Sequence, residues 1–294
     1  AAFAIAAGVY DLVLALGFEK FKDLGYNVIR TGEPFIYSYG RSSPGEYALA
    51  ATRYFHRYDI GRETLAKIGV KNHYNGSLHP KAHFQRAITL EQSLNAPIIA
   101  WPLGLFDCCP RTDGATAAII CSSNMAKKFR DDYILIKGIE IAAGGGMGRM
   151  LKDYDFCHWE ENVVASRKIY EEVGIKDPRK EISLAEVHDC FTINELFAYE
   201  DLGFCPRGQA KEYIDNGFFA LDGSLPVNTD GGLKSFGHPQ GATGLRMIYE
   251  LYNQFHGKAG ARQLKDPKMG LAHTIGGGPG VGGVSHVAIV SRKD

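Results

Sequence analysis

The sequence predicts an α/β protein with buried sheets, and this fold class follows from alternation, composition and length. Apolar, β-rich runs alternate along the chain with stretches of helical periodicity. The 294 residues are 45% hydrophobic and 22% charged, which is typical of a globular chain with a sizeable core. Lysine plus arginine (33) balances aspartate plus glutamate (33), so the net charge does not indicate a nucleic acid or an anionic membrane as partner. No apolar run reaches the roughly 18 residues of a membrane span.

The first half of the chain combines core strands with a long excursion. A short helix of small residues is predicted to stop at Gly8 and to lead into a buried strand over Val9–Leu16. Residues 31–97 hold few strand runs and many polar and aromatic side chains, which predicts an excursion that covers a substrate. This excursion is predicted to be partly helical around Gly45–Ile68. The strands expected after it are a buried one over Ala115–Cys121 and another over Ile134–Ala142.

The second half alternates more regularly between helix and strand. Apolar residues at helical spacing predict three helices, which end at Gly174, Gly203 and Gly257. Thr192 followed by Glu195 predicts a capping box at the start of the second of these helices. The predicted helices cover Asn162–Val173, Thr192–Leu202 and Thr243–His256, and the predicted strands cover Leu184–His188, Met269–Ile275 and Val284–Ser291.

Six cysteines are scattered along the chain without a C-x-x-C pair or the spacing of a zinc ribbon. We therefore predict a reducing, cytoplasmic location and no metal site. Cys108 and Cys109 are adjacent, Cys121 lies inside an apolar strand, and Cys157-His158 has no third ligand nearby. We interpret these cysteines as structural.

The first candidate for chemistry is the run His188-Asp189-Cys190-Phe191, between a strand end and a helix start. A thiol at this position is near unpaired helix N–H groups and the positive end of the helix dipole, which favour the thiolate. His188 adds a group that can donate or accept a proton. The alternative is equally compatible with the residues: a buried core cysteine beside a histidine that caps a backbone carbonyl.

The second candidate is His238, which lies in a glycine-rich stretch leading into the helix at Thr243. Gly237 and Gly241 allow the backbone to approach a ligand closely, and Pro239 fixes the chain after the histidine. Histidine is the natural general base near neutral pH. The alternative is a tight helix-entry turn with an incidental histidine.

The third candidate is the glycine-rich stretch 273–283, which begins with His273 and joins two predicted strands. Exposed backbone N–H groups in such a stretch can form an oxyanion hole. A plain β-hairpin is the alternative.

The order of these motifs resembles the thiolases, specifically the sterol-carrier-protein type and its archaeal and bacterial relatives. The motifs are HDCF (188–191), N-x-x-G-G-x-x-x-x-G-H-P-x-G-A-T-G (228–244) and H-x-I-G-G (273–277). The resemblance implies two similar α/β halves with mixed five-stranded sheets, layered between helices, plus a loop domain. The implied division gives 1–21 and 98–150 to the N-terminal half, 22–97 to the loop domain and 151–294 to the C-terminal half.

The resemblance also implies a reaction and the residues that perform it. A 3-ketoacyl-CoA is cleaved by coenzyme A, or the reverse Claisen condensation occurs, through an acyl-cysteine and without a bound cofactor. By motif, His238 would activate the nucleophile, Cys190 would be the acid/base, and His188 would polarise the thioester oxygen. The backbone at Gly276 and Gly277 would complete an oxyanion site, and the substrate-lining residues would be Phe191, Gly237 and His273. No residue matches the family's nucleophilic cysteine, which is expected a few turns before Ala1.

Two other functions stay open at this point. A thiolase-like retro-aldolase would cleave a 3-hydroxyacyl-CoA, but a tyrosine replaces the HDCF histidine in that group, so His188 favours a thiolase. A non-catalytic subunit that binds acyl-CoA or acts as a scaffold is the third reading. The resemblance further implies a homo-oligomer, dimer or tetramer, and a small zinc-ribbon/OB-fold acyl-CoA-binding protein as a possible partner.

Overall fold

The computed structural model describes residues 1–24, 42–146, 148, 151–280 and 282–293. The part of the predicted excursion before residue 42 lies outside them. The helices are α1 (Ala2–Ala6), α2 (Phe21–Leu24), α3 (Ser43–Tyr58), α4 (Arg62–Ser77), α5 (Leu90–Leu94), α6 (Ser123–Ala126), α7 (Glu160–Val173), α8 (Pro178–Glu181), α9 (Thr192–Asp201), α10 (Ala210–Asp215), α11 (Gly232–Ser235) and α12 (Thr243–Phe255). The strands are β1 (Leu12–Glu19), β2 (Ile98–Ala100), β3 (Leu103–Gly104), β4 (Gly114–Cys121), β5 (Ile134–Ala143), β6 (Leu184–Glu186), β7 (Met269–Gly278) and β8 (Gly282–Arg292). Within these ranges, no helix has the length and apolar character needed to cross a membrane.

The N-terminal strands form a two-stranded antiparallel sheet in which β1 pairs with β4 from Leu12↔Cys121 to Glu19↔Gly114. Both strands were expected to be buried, and this expectation is wrong for one face of each. Leu14 is 64% exposed and Ile119, its partner across the ladder, is 70% exposed. The described residues place no second layer on this face, so the alternate apolar side chains stay accessible. The other face packs on the turn before α12, where Gly17 lies close to the backbone of Gly241.

The C-terminal half holds a mixed four-stranded sheet in the order β5-β8-β7-β6. Only β6 and β7 run parallel, and β5–β8 and β8–β7 are antiparallel. The resemblance implies five strands here. In the described residues the fifth position, beside β6, is an isolated parallel bridge between Ala185 and Val227, because the chain turns away at once at Asn228. β5 lies in the range 98–150 assigned to the N-terminal half, yet it pairs with β8 in this C-terminal sheet.

The predicted helices are present, with ends within two residues of those expected. Gly174 ends α7 in the left-handed conformation. The prediction of a capping box at Thr192 is wrong. Phe191 is the N-cap residue, and the Thr192 hydroxyl donates to the Asp107 carboxylate at 2.6 Å. Every residue of α9 is buried. Several of its polar side chains bind partners from other elements; Glu195, for example, accepts from the Asn72 amide at 2.5 Å.

The described part of the excursion, 42–97, is more helical than the predicted range around Gly45–Ile68. It contains α3 and α4, and both pack on the C-terminal half. The Tyr54 hydroxyl donates to the Glu200 carboxylate, and Lys71 pairs with Glu195 at 2.9 Å. These contacts fix α3 and α4 against α9.

A buried network of charges lies beneath the turn that enters α11. Arg246 is 2% exposed and binds Asp230, and its guanidinium lies 3.6 Å from Glu186. Nearby, Arg262 pairs with Glu250. Each charge is out of water, so each depends on its partner.

We expect Arg246→Met to lower the free energy of unfolding by about 3–5 kcal/mol, because it leaves the buried Asp230 and Glu186 carboxylates without their cation. Urea unfolding followed by circular dichroism measures the loss. Arg130→Met is the matched control, since Arg130 pairs with Asp132 at the surface, and we expect it to change stability little. Equal losses in the two variants would contradict this account.

Candidate active site

Three segments that are far apart in sequence meet at one point: the turn after β6, the entry to α12, and β7. The rings of His188 and His238 stand edge to face, with centroids 5.1 Å apart and planes at 88°. The backbone N–H of His188 points to Nδ1 of His273 at 3.5 Å. The structure thus brings together the histidines of all three motifs.

His238 is held as a neutral ring whose Nε2 makes no hydrogen bond among the described residues. Its Nδ1 lies 2.8 Å from the Thr243 hydroxyl, and that hydroxyl donates its single hydrogen to the Pro239 carbonyl at 3.0 Å. The hydroxyl therefore accepts from Nδ1–H, which leaves the lone pair on Nε2. Burial lowers the pKa of His238 to about 4, so the ring is uncharged at neutral pH. A neutral imidazole with a free Nε2 is equipped to act as a general base.

His188 offers an unused nitrogen beside this base. Its carbonyl accepts from the Asn194 amide at 2.5 Å, which fixes the backbone, while Nδ1 is buried and has no partner among the described residues. Burial lowers the pKa of His188 well below its ordinary value, and His238 and His273 contribute in the same direction. A buried polar atom without a partner points to a ligand that supplies one. The alternative in which His188 caps a backbone carbonyl has no Nδ1 contact to support it in the described residues.

His273 was expected to line the substrate, and its geometry favours a different role. The side chain has no exposed surface, Nε2 lies 2.8 Å from the Asn162 amide oxygen, and Nδ1 faces the His188 N–H. Burial lowers its pKa to about 3. Both nitrogens are engaged, so His273 holds the His188 backbone and has no nitrogen left for a substrate.

Cys190 follows His188 by two residues in the chain but is not a helix-activated thiol. It is buried, it is hydrogen-bonded to the Tyr47 side chain, and the Cys109 N–H donates to its carbonyl at 2.9 Å. Burial raises the pKa of the Cys190 thiol above its usual range, and Cys109 raises it further. The sequence-based expectation that the helix N-terminus favours the thiolate is therefore wrong, because burial is the largest influence on this thiol and acts against the thiolate.

Asp189 connects the first motif to the second. Its carboxylate accepts from the N–H groups of Leu233 at 2.6 Å and Lys234 at 3.1 Å, and from the Asn72 amide at 2.8 Å. Burial raises its pKa to about 7. Gly232 makes this contact possible: its φ is +60°, and a β-carbon there would lie 2.5 Å from the carboxylate. The loop that carries His238 is thus anchored to the residue before Cys190.

The remaining predicted residues surround this centre. Gly276 and Gly277 are exposed on β7, beyond Ala272, which is the last β7 residue paired with β6. On the side of β7 that faces β6, the backbone of these two glycines has no neighbouring strand in the described part of the chain. On the other side, both residues pair with β8 in a β-hairpin. Phe191 stacks on Tyr47 with centroids 4.5 Å apart. Gly237 is buried against Thr112, with φ at +120°.

Sequence reasoning missed two kinds of residue. Tyr47 reaches the site from α3, and nothing in its local sequence marks it. Asn228 and Thr243 lie in the second motif, but the motif alone gave them no role. In the structure the Asn228 side chain accepts from the Val187 N–H at 2.8 Å and so fixes the end of β6. The described residues contain no group of three or more metal-ligating side chains placed to hold an ion.

Comparison with known proteins gives one consistent family. A family model for "Thiolase C-terminal domain-like" proteins matches residues 148–292. An acetyl-CoA acetyltransferase of Methanothermobacter thermautotrophicus is 38% identical, over 98% of this chain and 75% of that protein. Sterol carrier protein 2 of Oryctolagus cuniculus is 35% identical over 92% of this chain, which spans only about half (52%) of that protein.

A solved structure has the same fold as this chain. The "Ltp2-ChsH2(DUF35) aldolase" is 28% identical and superposes with a TM-score of 0.85, over 99% of this chain and 75% of that chain. The α/β class and the resemblance read from the three motifs are therefore confirmed. The chain belongs to the thiolase superfamily.

Proposed function

We propose that the protein is an acyl-CoA thiolase, which cleaves a 3-ketoacyl-CoA with coenzyme A or performs the reverse Claisen condensation. The observation that carries the proposal is the pairing of a neutral His238, whose Nε2 has no hydrogen bond among the described residues, with a buried His188, whose Nδ1 has no partner there; Cys190 follows His188 by two residues. Acyl transfer between thiols needs a base, an oxyanion donor and a second acid/base. These three side chains supply one of each.

In the proposed cycle, Nε2 of His238 takes the proton of an attacking cysteine thiol other than Cys190. The thiolate bonds to the 3-keto carbon, and the bond between C2 and C3 breaks. Cys190 then protonates C2 of the departing acetyl-CoA. His188 and the backbone at Gly276 stabilise the negative charge that forms first on the 3-keto oxygen and then on the thioester oxygen of the enolate. Coenzyme A finally gives its thiol proton to the Cys190 thiolate and takes the acyl group, and the released cysteine regains its proton from His238.

A retro-aldolase is the second candidate, because the solved structure at 28% identity is an aldolase. It would cleave a 3-hydroxyacyl-CoA without an acyl-cysteine. The same histidines could abstract the hydroxyl proton, so the two reactions differ in the need for a covalent intermediate. We also propose that the protein forms a homo-oligomer and binds a small acyl-CoA-binding partner; the name of the aldolase complex, which joins two proteins, supports a partner of some kind.

The reaction type is tested on the product of the complete gene. We expect 3-ketoacyl-CoA to be turned over repeatedly only when free coenzyme A is present. When coenzyme A is withheld, we expect a single equivalent to react and intact-mass spectrometry to show an acyl adduct. Cleavage of a 3-hydroxyacyl-CoA without coenzyme A and without an adduct would identify an aldolase. Binding of acyl-CoA with no turnover of either substrate would identify a non-catalytic subunit.

A further inference from the structure

Cys109 and Cys190 lie opposite each other on two antiparallel stretches of backbone. The Cys109 N–H donates to the Cys190 carbonyl at 2.9 Å, and Cys108 forms an antiparallel bridge with Phe191. One step further along an antiparallel ladder, residue 109 faces residue 190. The two cysteines are therefore direct cross-strand neighbours, although they are far apart in sequence.

This pairing brings the two thiols to one face of the ladder. Direct cross-strand neighbours have Cβ atoms about 4.5–5.5 Å apart, and a hydrogen-bonded pair has Cα atoms about 5.5 Å apart. A disulfide joins Cα atoms that are roughly 4.4–6.8 Å apart. Both cysteines are free thiols, and a disulfide between them needs only a small movement of the backbone.

Cys108 has a different environment, although it is the preceding residue. Successive side chains of an extended chain point to opposite faces, so Cys108 points away from the face that Cys109 and Cys190 share. Its thiol donates to the Gly104 carbonyl at 3.5 Å. Because Cys108 is half-buried like Cys109, it is a matched control for any reaction that joins Cys109 to Cys190.

Burial limits how fast the two opposed thiols react. Cys190 is 8% exposed and Cys109 is half-buried, so an oxidant reaches Cys109 first. Burial raises the pKa of Cys109 to about 12 and holds the pKa of Cys190 above its usual range. Because the thiolate is the reactive form of a cysteine, both thiols react slowly near neutral pH and faster as the pH rises.

We propose that Cys109 and Cys190 form an oxidation site, at which hydrogen peroxide converts the two opposed thiols into a disulfide. The Cys109 sulfur attacks the peroxide, which releases one water and leaves a sulfenic acid. The Cys190 sulfur then displaces the hydroxyl group, so that the S–S bond forms and a second water leaves. One peroxide is reduced to two waters while two thiols are oxidised to one disulfide, and a dithiol reverses the change.

Peptide mapping of the complete protein tests this site without substrate. The protein is exposed to hydrogen peroxide at about pH 8.5, where more thiolate is present than at neutral pH, and is then denatured in acid, blocked with N-ethylmaleimide and digested with trypsin. Cleavage after lysine and arginine gives peptide 87–111, with Cys108 and Cys109, and peptide 181–207, with Cys190 and Cys205. We expect these two peptides to be joined, and to separate after reduction with dithiothreitol.

Three variants assign the sulfurs, because each peptide holds two cysteines. Cys109→Ala and Cys190→Ala should abolish the joined pair, whereas Cys108→Ala should keep it. Cys109→Ser repeats the loss with a polar side chain, in case the alanine variant does not fold. Peptides that stay separate in the wild-type protein would overturn the proposal, as would a joined pair that persists in Cys109→Ala or disappears in Cys108→Ala.

The catalytic consequence of the disulfide rests on the proposed thiolase function, because it removes the thiol that moves the proton at C2. Exchange of the C2 protons of acetyl-CoA should fall in proportion to the fraction of molecules that hold the disulfide, and it should return after reduction. A Cys109–Cys190 disulfide in a protein that shows no thiolase turnover when reduced would refute the proposed function and leave the oxidation site intact.

Discussion

Replacing His238 with alanine should reduce acyl transfer by about 10²–10⁴-fold, because general-base catalysis and oxyanion stabilisation each contribute factors of this size. The geometry gives the reason. Thr243 accepts from Nδ1–H at 2.8 Å and leaves Nε2 as the free base, beside the ring of His188. Single-turnover formation of the acyl-enzyme, measured by quenched-flow mass spectrometry, isolates the step in which the thiol is activated.

The matched control is His256→Ala, which removes a histidine at the other end of the same helix, where Nδ1 lies 2.8 Å from the Tyr252 carbonyl. We expect its turnover to be unchanged. Near-normal acylation in His238→Ala would show that the base lies elsewhere. The pH profile gives an independent check: burial lowers the pKa of His238 to about 4, so the base is unprotonated above that value. The His238-dependent rate should therefore be lost only as the pH falls through about 4.

The fold was predictable where a local pattern decides the structure. The apolar spacing over α7 and α12 and the glycine after α7 gave the correct helices. Burial was not predictable in the same way, because an apolar strand such as β1 looks the same whether or not a second layer covers it. The capping box failed for a related reason: Thr192 has the right residue type, but Asp107, distant in sequence, takes its hydroxyl.

The site was predictable in position and less so in chemistry. The three motifs located His188 and His238, whose rings the structure brings together, and Cys190, two residues after His188. The thiolate expected at Cys190 was wrong, because a helix N-terminus can be recognised in sequence whereas complete burial cannot. Tyr47 was missed, because it reaches Cys190 only through tertiary packing.

Replacing Cys190 with alanine should separate the two halves of the proposed reaction. His238 and the attacking thiol are untouched, so acetyl-CoA should still acylate the protein at close to the wild-type rate. The making or breaking of the C–C bond should fall by about 10²–10⁴-fold, because no thiol remains to move the proton at C2. Isotope exchange at C2 of acetyl-CoA in deuterated water reports that proton transfer alone, and it should be lost to the same extent.

The control for Cys190→Ala is Cys121→Ala, which removes a thiol from the end of β4, where the strand pairs with Leu12. It should retain both half-reactions. If Cys190→Ala completed the full cycle and exchanged C2 protons normally, Cys190 would be a packing residue, and Cys109, which lies opposite it, would be the next thiol to test. If acylation failed together with C–C cleavage, the thiol would be needed for the shape of the site. Loss of C2 exchange with acylation preserved is the one result that only an acid/base role for Cys190 explains.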